Sequence, residues 1–289
     1  MLNALTIDVE DYFQVNAFQP YIPRESWDSY PLRVSDNVAR LLDILEQYGV
    51  HGTFFILGWI ARRQPQLVRE IQGRGHEIAS HGYGHQLIFA IGPKLFREDV
   101  RRAKLVLEDA AGVPVRGYRA PTYSITRDSL WAFDILSEEG YSYDSSVFPI
   151  HHDTYGIPDA PRFPYRVRTS GGMLHEFPLS TLPLRVAGRS LQFPIAGGGY
   201  LRLLPAPLIR WGIQRINAVE GQPTVLYLHP WEIDPGQPRV QAGLRARFRH
   251  YVNLSRTEGK LRYLLQGVRY GTMSEVLRLH DARGGGNGA

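Results

Sequence analysis

The chain has 289 residues, 43% of them hydrophobic and 21% charged, which is ordinary globular usage: it supports a sizeable core and excludes global disorder. There is no cysteine, so disulfides, thiolate metal sites and cysteine nucleophiles are excluded and the redox compartment stays open. The net charge of +5, from 33 basic and 28 acidic residues, is carried mainly by scattered arginines. No nucleic-acid motif accompanies them, and no run reaches the roughly 18 apolar residues of a membrane span.

Residues 4–8 predict a first strand. Residues 36–48 predict a helix, with Ser35 as N-cap, Val38, Leu41, Leu42 and Leu45 on one face, and Gly49 as the stop. A second strand is expected at 52–57, a helix at 65–72 and a third strand at 77–79. A long helix is expected at 93–111, where Pro93 occupies a tolerated first-turn position and Gly112 follows the end. Strand 117–119, helix 127–139 and strand 141–144 continue the rhythm. It then breaks: 151–172 reads as a long loop, 174–179 and 191–195 as short strands, and Gly197-Gly198-Gly199 as a turn. A helix at 201–219, a strand at 224–228 and helices at 253–267 and 273–279 follow, with a disordered tail at 284–289. This alternation predicts parallel strands wrapped by helices.

Chemistry-bearing residues fall where these strands end: Asp8, His81, Arg119, Asp144 and His229. In parallel α/β folds the loops converge at that edge and sites form there. His81 and His85, four apart in Ser80-His81-Gly82-Tyr83-Gly84-His85, can face one divalent ion. The acidic run Asp8-Val9-Glu10-Asp11 offers carboxylates for ligation and for base catalysis. Leu226-Tyr227-Leu228-His229-Pro230 brings a distant imidazole suited to acid catalysis. Arg245, Arg247 and Arg249 with His250 form the nearest thing to a basic patch, which reads as a solvated helix face or as a contact for an anionic surface or lipid phosphate.

Taken in order, these segments resemble the polysaccharide deacetylase family, the NodB homology domain of carbohydrate esterase family four, over roughly residues 1–232. The resemblance implies a distorted (β/α)7-type barrel and a metal-dependent hydrolase that removes acetyl groups from N-acetylated sugars, with zinc the commonest ion. It makes Asp8 the general base and His81 and His85 metal ligands. Val9 stands where the family's metal carboxylate is usual. Strand alternation puts Asp8 and Glu10 on one face, which favours Glu10 as ligand, with Asp11 as the rival reaching from the turn. In Arg119-Ala120-Pro121-Thr122-Tyr123, Arg119 would hold the Asp8 carboxylate, and a backbone N–H just after the proline would serve the oxyanion hole. Thr122 occupies a position that is often aromatic in the family, and Tyr123 follows it. Asp144 would orient His229, Leu228 would pack near the acetyl methyl, and His229 would protonate the leaving amine.

Asp8-Val9-Glu10-Asp11-Tyr12-Phe13, Gly197-Gly198-Gly199-Tyr200-Leu201-Arg202 and His229-Pro230-Trp231-Glu232-Ile233-Asp234 resemble a bacterial subgroup associated with exopolysaccharide assembly loci. That implies a C-terminal extension at 233–283 packed on the barrel, and an acetylated exopolysaccharide or its lipid-linked precursor as substrate. With strand 4–8 starting next to Met1 and no signal-like stretch before it, a cytoplasmic location is expected, with peripheral association at the inner-membrane assembly machinery. Two rival readings are a cyclic amide hydrolase, with Tyr12-Phe13 and residues 18–21 as a lid over a small pocket, and a non-catalytic carbohydrate-binding protein.

Overall fold

The structure is a computed structural model that describes residues 1–186 and 189–282; the tail expected at 284–289 lies outside them. The strands are β1 (Asn3–Val9), β2 (Thr53–Ile56), β3 (Glu77–Ser80), β4 (Gly117–Tyr118), β5 (Tyr143–Asp144), β6 (Tyr165–Thr169), β7 (Gly172–Glu176), β8 (Thr181–Val186), β9 (Arg189–Pro194), β10 (Val225–Leu228) and β11 (Tyr270–Gly271). Seven of them run parallel in the order β10-β1-β2-β3-β4-β5-β7. β6 adds antiparallel to β7, β11 pairs with the start of β1, and β8 and β9 form a separate hairpin.

The gap between β7 and β10 is bridged by irregular backbone. Tyr227 N donates to Ala196 O at 2.7 Å, Gly198 N donates to Tyr227 O at 3.1 Å, and Val225 N donates to Ser180 Oγ at 2.8 Å. Gly197 has φ +141°, and a Cβ there would lie 1.8 Å from Tyr227 O. The glycine triplet expected to form a turn therefore lets backbone press against β10, an approach only glycine permits. The result is a distorted parallel α/β barrel.

Period-2 alternation divides the core into two layers. Leu5, Ile7, Val9, Phe54, Leu226 and Leu228 pack outward under the helices. Ala4, Phe55, Tyr143, Phe177 and Tyr227 fill the barrel interior. Asp8 continues the inward column of Ala4 and Thr6, and His229 continues that of Tyr227. The alternation that buries the core thus aims both polar groups into the barrel mouth.

The helices are α1 (Val34–Gln47), α2 (Gly58–Arg63), α3 (Pro65–Gly73), α4 (Ile88–Ala111), α5 (Ala132–Glu138), α6 (Gly199–Leu203), α7 (Ala206–Arg215), α8 (Leu244–Tyr251), α9 (Leu254–Gly267) and α10 (Met273–Ala282). Ser35 lies inside α1 rather than at its cap, and its hydroxyl has no hydrogen-bond partner among the described residues. α4 starts five residues earlier than expected but breaks at Gly92 (φ 73°), just ahead of Pro93. The expected single helix at 201–219 is split by Pro205 into α6 and α7, with a wider π turn at Ile216–Glu220. α2 and strands β6, β8 and β11 were not expected, and α8 carries the arginine-rich run read as a helix face. α10 plugs the end of the barrel opposite the site: Met273, Val276 and Leu277 join the interior layer, and Met273 N donates to Thr53 Oγ1 at 2.7 Å.

Candidate metal and catalytic site

The strand ends open into a cleft of about 220 Å³ whose wall includes Asp8, Glu10, His81, His85, Thr122, Tyr123 and His229. At its base, Arg119 is fully buried and its Nη1 donates to Asp8 Oδ1 at 2.7 Å. The guanidinium is held on all sides: Nη1 also donates to Thr6 Oγ1 at 2.7 Å, Nε to Ser145 O at 3.0 Å and Nη2 to Ser145 Oγ at 3.0 Å, and the group lies 4.2 Å from the centre of the Phe55 ring. Burial works against its charge, but Asp8 outweighs burial and raises its pKa. Tyr123 Oη donates to the other carboxylate oxygen at 3.4 Å. A carboxylate fixed this way is oriented without being consumed, since Oδ2 still faces the cleft through one long contact.

Glu10 stands one residue beyond β1. Its Oε1 lies 3.4 Å from the Nε2 atoms of His81, His85 and His229 alike. Burial raises its pKa, but the neighbouring imidazoles, His85 first and then His229, hold it well below the usual carboxylate range. Glu10, His81 and His85 each offer a ligand atom within 4.8 Å of the other two. His81 Nδ1 lies 2.8 Å from the carbonyl of Arg119, which sets that nitrogen as the donor and leaves Nε2, buried and without a hydrogen-bond partner, as a free lone pair. Metal-ligating histidines are oriented by such carbonyl contacts. Two imidazoles and one carboxylate are a donor set suited to a divalent cation with open positions, so the residues fit a metal.

Asp11, the rival ligand, is turned away. Its Oδ2 accepts from Arg33 N at 2.7 Å and Val34 N at 3.0 Å, and its Oδ1 accepts from Tyr12 N at 2.9 Å. Alternation sends its side chain to the opposite face from Glu10, where it takes over the N-terminal capping of α1 that was expected of Ser35.

His229 is oriented by a residue other than the expected one. Its Nδ1 lies 3.3 Å from Glu232 Oε2, which also accepts from His229 N at 3.0 Å. Arg202 Nε holds the other oxygen at 2.6 Å. Burial raises the pKa of Glu232, but Arg202 first and then His229 lower it to about 2. Asp144 cannot do this work because its carboxylate is occupied elsewhere. Oδ1 accepts from Ser146 Oγ at 2.6 Å, Oδ2 accepts from Ser146 N at 3.0 Å, and the group pairs with Glu176 on the adjacent strand β7. Glu232 was within the quoted His229-Pro230-Trp231-Glu232 run. The His-x-x-Glu spacing over one tight turn was the signal that could have identified it.

Thr122 and Tyr123 line the cleft, and both have left-handed backbone, with φ of 56° and 53°; His85, with φ 51°, shares the feature. Such conformations cost energy in non-glycine residues and cluster at functional sites. Leu228 is not in the cleft: alternation points it outward into the layer beneath the helices. Tyr12 and Phe13 are also buried, with Phe13 packed against Trp27, Tyr30 and Trp59. They do not form a lid.

Residues 26–142 match the polysaccharide deacetylase family model, and residues 145–278 match a model described as a domain of unknown function (DUF3473). Asp8 and Glu10 precede the first segment, while His229 and Glu232 fall in the second. Among curated proteins, the chain is 28% identical over 118 residues to a peptidoglycan-N-acetylglucosamine deacetylase of Bacillus cereus, covering 37% of this chain and 43% of that protein. It is 35% identical over 98 residues to a chitooligosaccharide deacetylase of Sinorhizobium fredii, covering 34% and 43%. The match thus spans under half the length of these relatives. Among solved structures, one from Mycobacterium smegmatis, described as a candidate polysaccharide deacetylase, superposes with TM-score 0.61 at 24% identity over 98% of this chain and 91% of that one. Puue allantoinase superposes with TM-score 0.58 at 16% identity over 97% and 90%; at these identities the likeness shows the fold. Residues 26–142 are thus similar to the polysaccharide deacetylase family, and the whole chain shares the fold of solved polysaccharide deacetylase structures.

Proposed function

We propose that this chain is a metal-dependent hydrolase that removes N-acetyl groups from an acetylated glycan, namely an exopolysaccharide or its lipid-linked precursor, with zinc as the ion. The observation that carries the reading is the convergence of three imidazole nitrogens on Glu10 Oε1, each at 3.4 Å, beside a base carboxylate clamped by Arg119. The curated relatives act on peptidoglycan and chitooligosaccharides, both built on N-acetylated sugars.

In this reading Glu10, His81 and His85 hold the cation, which supplies Lewis acidity toward the acetamide carbonyl and toward water. Asp8 accepts the proton of the attacking water, and Arg119 holds and aims its carboxylate. Backbone at Thr122, in its left-handed conformation, offers an N–H to the developing oxyanion. Tyr123 walls the cleft and steadies Asp8. His229 donates the proton that lets the amine leave, with Glu232 fixing its tautomer and Arg202 fixing Glu232.

Acetate release from an N-acetylglucosamine oligomer, measured with and without a chelator, tests the reading. Release that the chelator abolishes and zinc restores is expected. No release from any N-acetylated oligomer, with metal bound, would overturn it. The cyclic amide alternative is less favoured, because Tyr12, Phe13 and Phe18 of the expected lid are core residues and only Tyr21 of its aromatic residues is exposed.

A further inference from the structure

The basic run near the C-terminus has no part in the chemistry above. It lies on α8, whose inner face is fastened to the cleft wall. His250 stacks on Trp231 with ring centres 4.2 Å apart, and Arg202 Nη1 donates to the carbonyls of Arg249 and His250 at 2.7 Å each. At the start of the helix, Gly243 N donates to Tyr21 Oη at 3.0 Å.

The outer face is unusual for a soluble surface. Leu244 is 82% exposed and Phe248 is 62% exposed. Spaced four apart, they share one helix face. Between and beside them stand Arg245, Arg247 and Arg249, all exposed; the contact of Arg245 Nη2 with Asp153 at 3.8 Å is long and solvent-exposed on both sides. Tyr21, nearly half exposed, lies beside Leu244 in the same surface groove. Single exposed apolar residues, such as Leu105, need no explanation. Two bulky ones a turn apart, set among arginines, match the composition of interfacial helices.

We propose that α8 is a docking element that seats the mouth of the cleft on an anionic lipid surface, with Leu244 and Phe248 entering the acyl boundary and Arg245 and Arg247 meeting the headgroups. Charge complementarity selects this occupant over a protein groove, because the helix pairs an apolar edge with positive charge alone. Position supports it as well: Ala17 and Arg249 line both the catalytic cleft and the groove that holds Leu244 and Arg245. A lipid-anchored glycan would then meet the site at the membrane. The proposal rests on the deacetylase reading only for that benefit, and lipid binding is measured separately from turnover.

The test is flotation of the full chain with phosphatidylglycerol–phosphatidylcholine vesicles and with phosphatidylcholine vesicles, alongside acetate release from a soluble N-acetylglucosamine oligomer. Binding to the anionic vesicles is expected, weakened by salt and roughly a hundredfold weaker on the neutral ones. The Leu244→Asp/Phe248→Asp variant should lose roughly tenfold or more of that binding, and Arg245→Glu/Arg247→Glu should lose most of it, both with unchanged acetate release. No binding to anionic vesicles, equal binding to neutral ones, or full retention by Leu244→Asp/Phe248→Asp would overturn the proposal; the last would mean simple adsorption of a basic protein. A chain that floats with vesicles yet releases no acetate would refute the deacetylase reading alone.

Discussion

His229 Nδ1 lies 3.3 Å from Glu232 Oε2, three residues along the same tight turn, and the pair is closed by Arg202 on the far oxygen of the carboxylate. Burial alone would lower the pKa of the imidazole, but Glu10 and Glu232 raise it to about 10. A general acid must hold its proton at working pH, so this raised value suits the role.

Glu232→Gln should therefore move the alkaline limb of the kcat/KM profile to lower pH. The sign follows from the chemistry: activity falls as His229 loses its proton, and a less stabilised imidazolium loses it earlier. Asp144→Asn should leave that limb in place, because Asp144 does not contact His229. A pH–rate series on the two variants checks the assignment. A shift in Asp144→Asn with none in Glu232→Gln would reverse it.

His81→Ala/His85→Ala should abolish stoichiometric binding of a divalent cation, since a single carboxylate is a weak site. Elemental analysis after dialysis reads this directly. Full occupancy in the double variant would place the metal elsewhere.

Asp11→Ala separates capping from ligation. It should keep the cation but lose about 1–2 kcal/mol of stability, because the first N–H groups of α1 lose their acceptor. Denaturant melts and metal analysis on one preparation check both halves. Loss of metal with unchanged stability would return Asp11 to the ligand set.

Asp8→Asn should bind metal normally and lose turnover by roughly 10²–10⁴-fold, the contribution of a positioned base. The amide can still accept from Arg119, so the fold should hold. Wild-type turnover with metal bound would pass the role to another group.

Asp144 and Glu176 are buried side by side, and burial first, then mutual repulsion, raises the pKa of Glu176 well above the ordinary value; that of Asp144 is raised too, by burial. Carboxyls with raised folded-state values hold protons that the unfolded chain releases. Their stabilising contribution is complete below the unfolded pKa, near 4, and is lost as pH rises through the folded values. Glu176→Gln should remove this loss, raising stability relative to the parent at neutral and alkaline pH and less so in acid. Melting curves across pH read the difference, and a gain confined to acid would contradict the pairing.

The sequence by itself determined most of the alternation of strands and helices and the inward column that brings Asp8 to the barrel mouth. Each of these follows from short-range periodicity: apolar alternation fixes which side chains face inward, and parallel strands must end at one edge. The layered core follows from the same rule, whereas the pairing of Arg119 with Asp8 and the grouping of Glu10 with His81 and His85 were implied by the family resemblance. Tertiary structure decided the partners. Asp11 and Glu10 are adjacent, and only the docking of α1 shows that one caps a helix while the other faces the cleft. The sequence pointed to Asp144 as the group that orients His229, and the structure puts Glu232 in that place. The choice depended on Ser146 and Glu176 occupying the first, and on Arg202, 30 residues away, ionising the second. Such outcomes rest on contacts between distant segments, where competition for hydrogen bonds and burial sets each side chain's partner, and local sequence does not encode that competition.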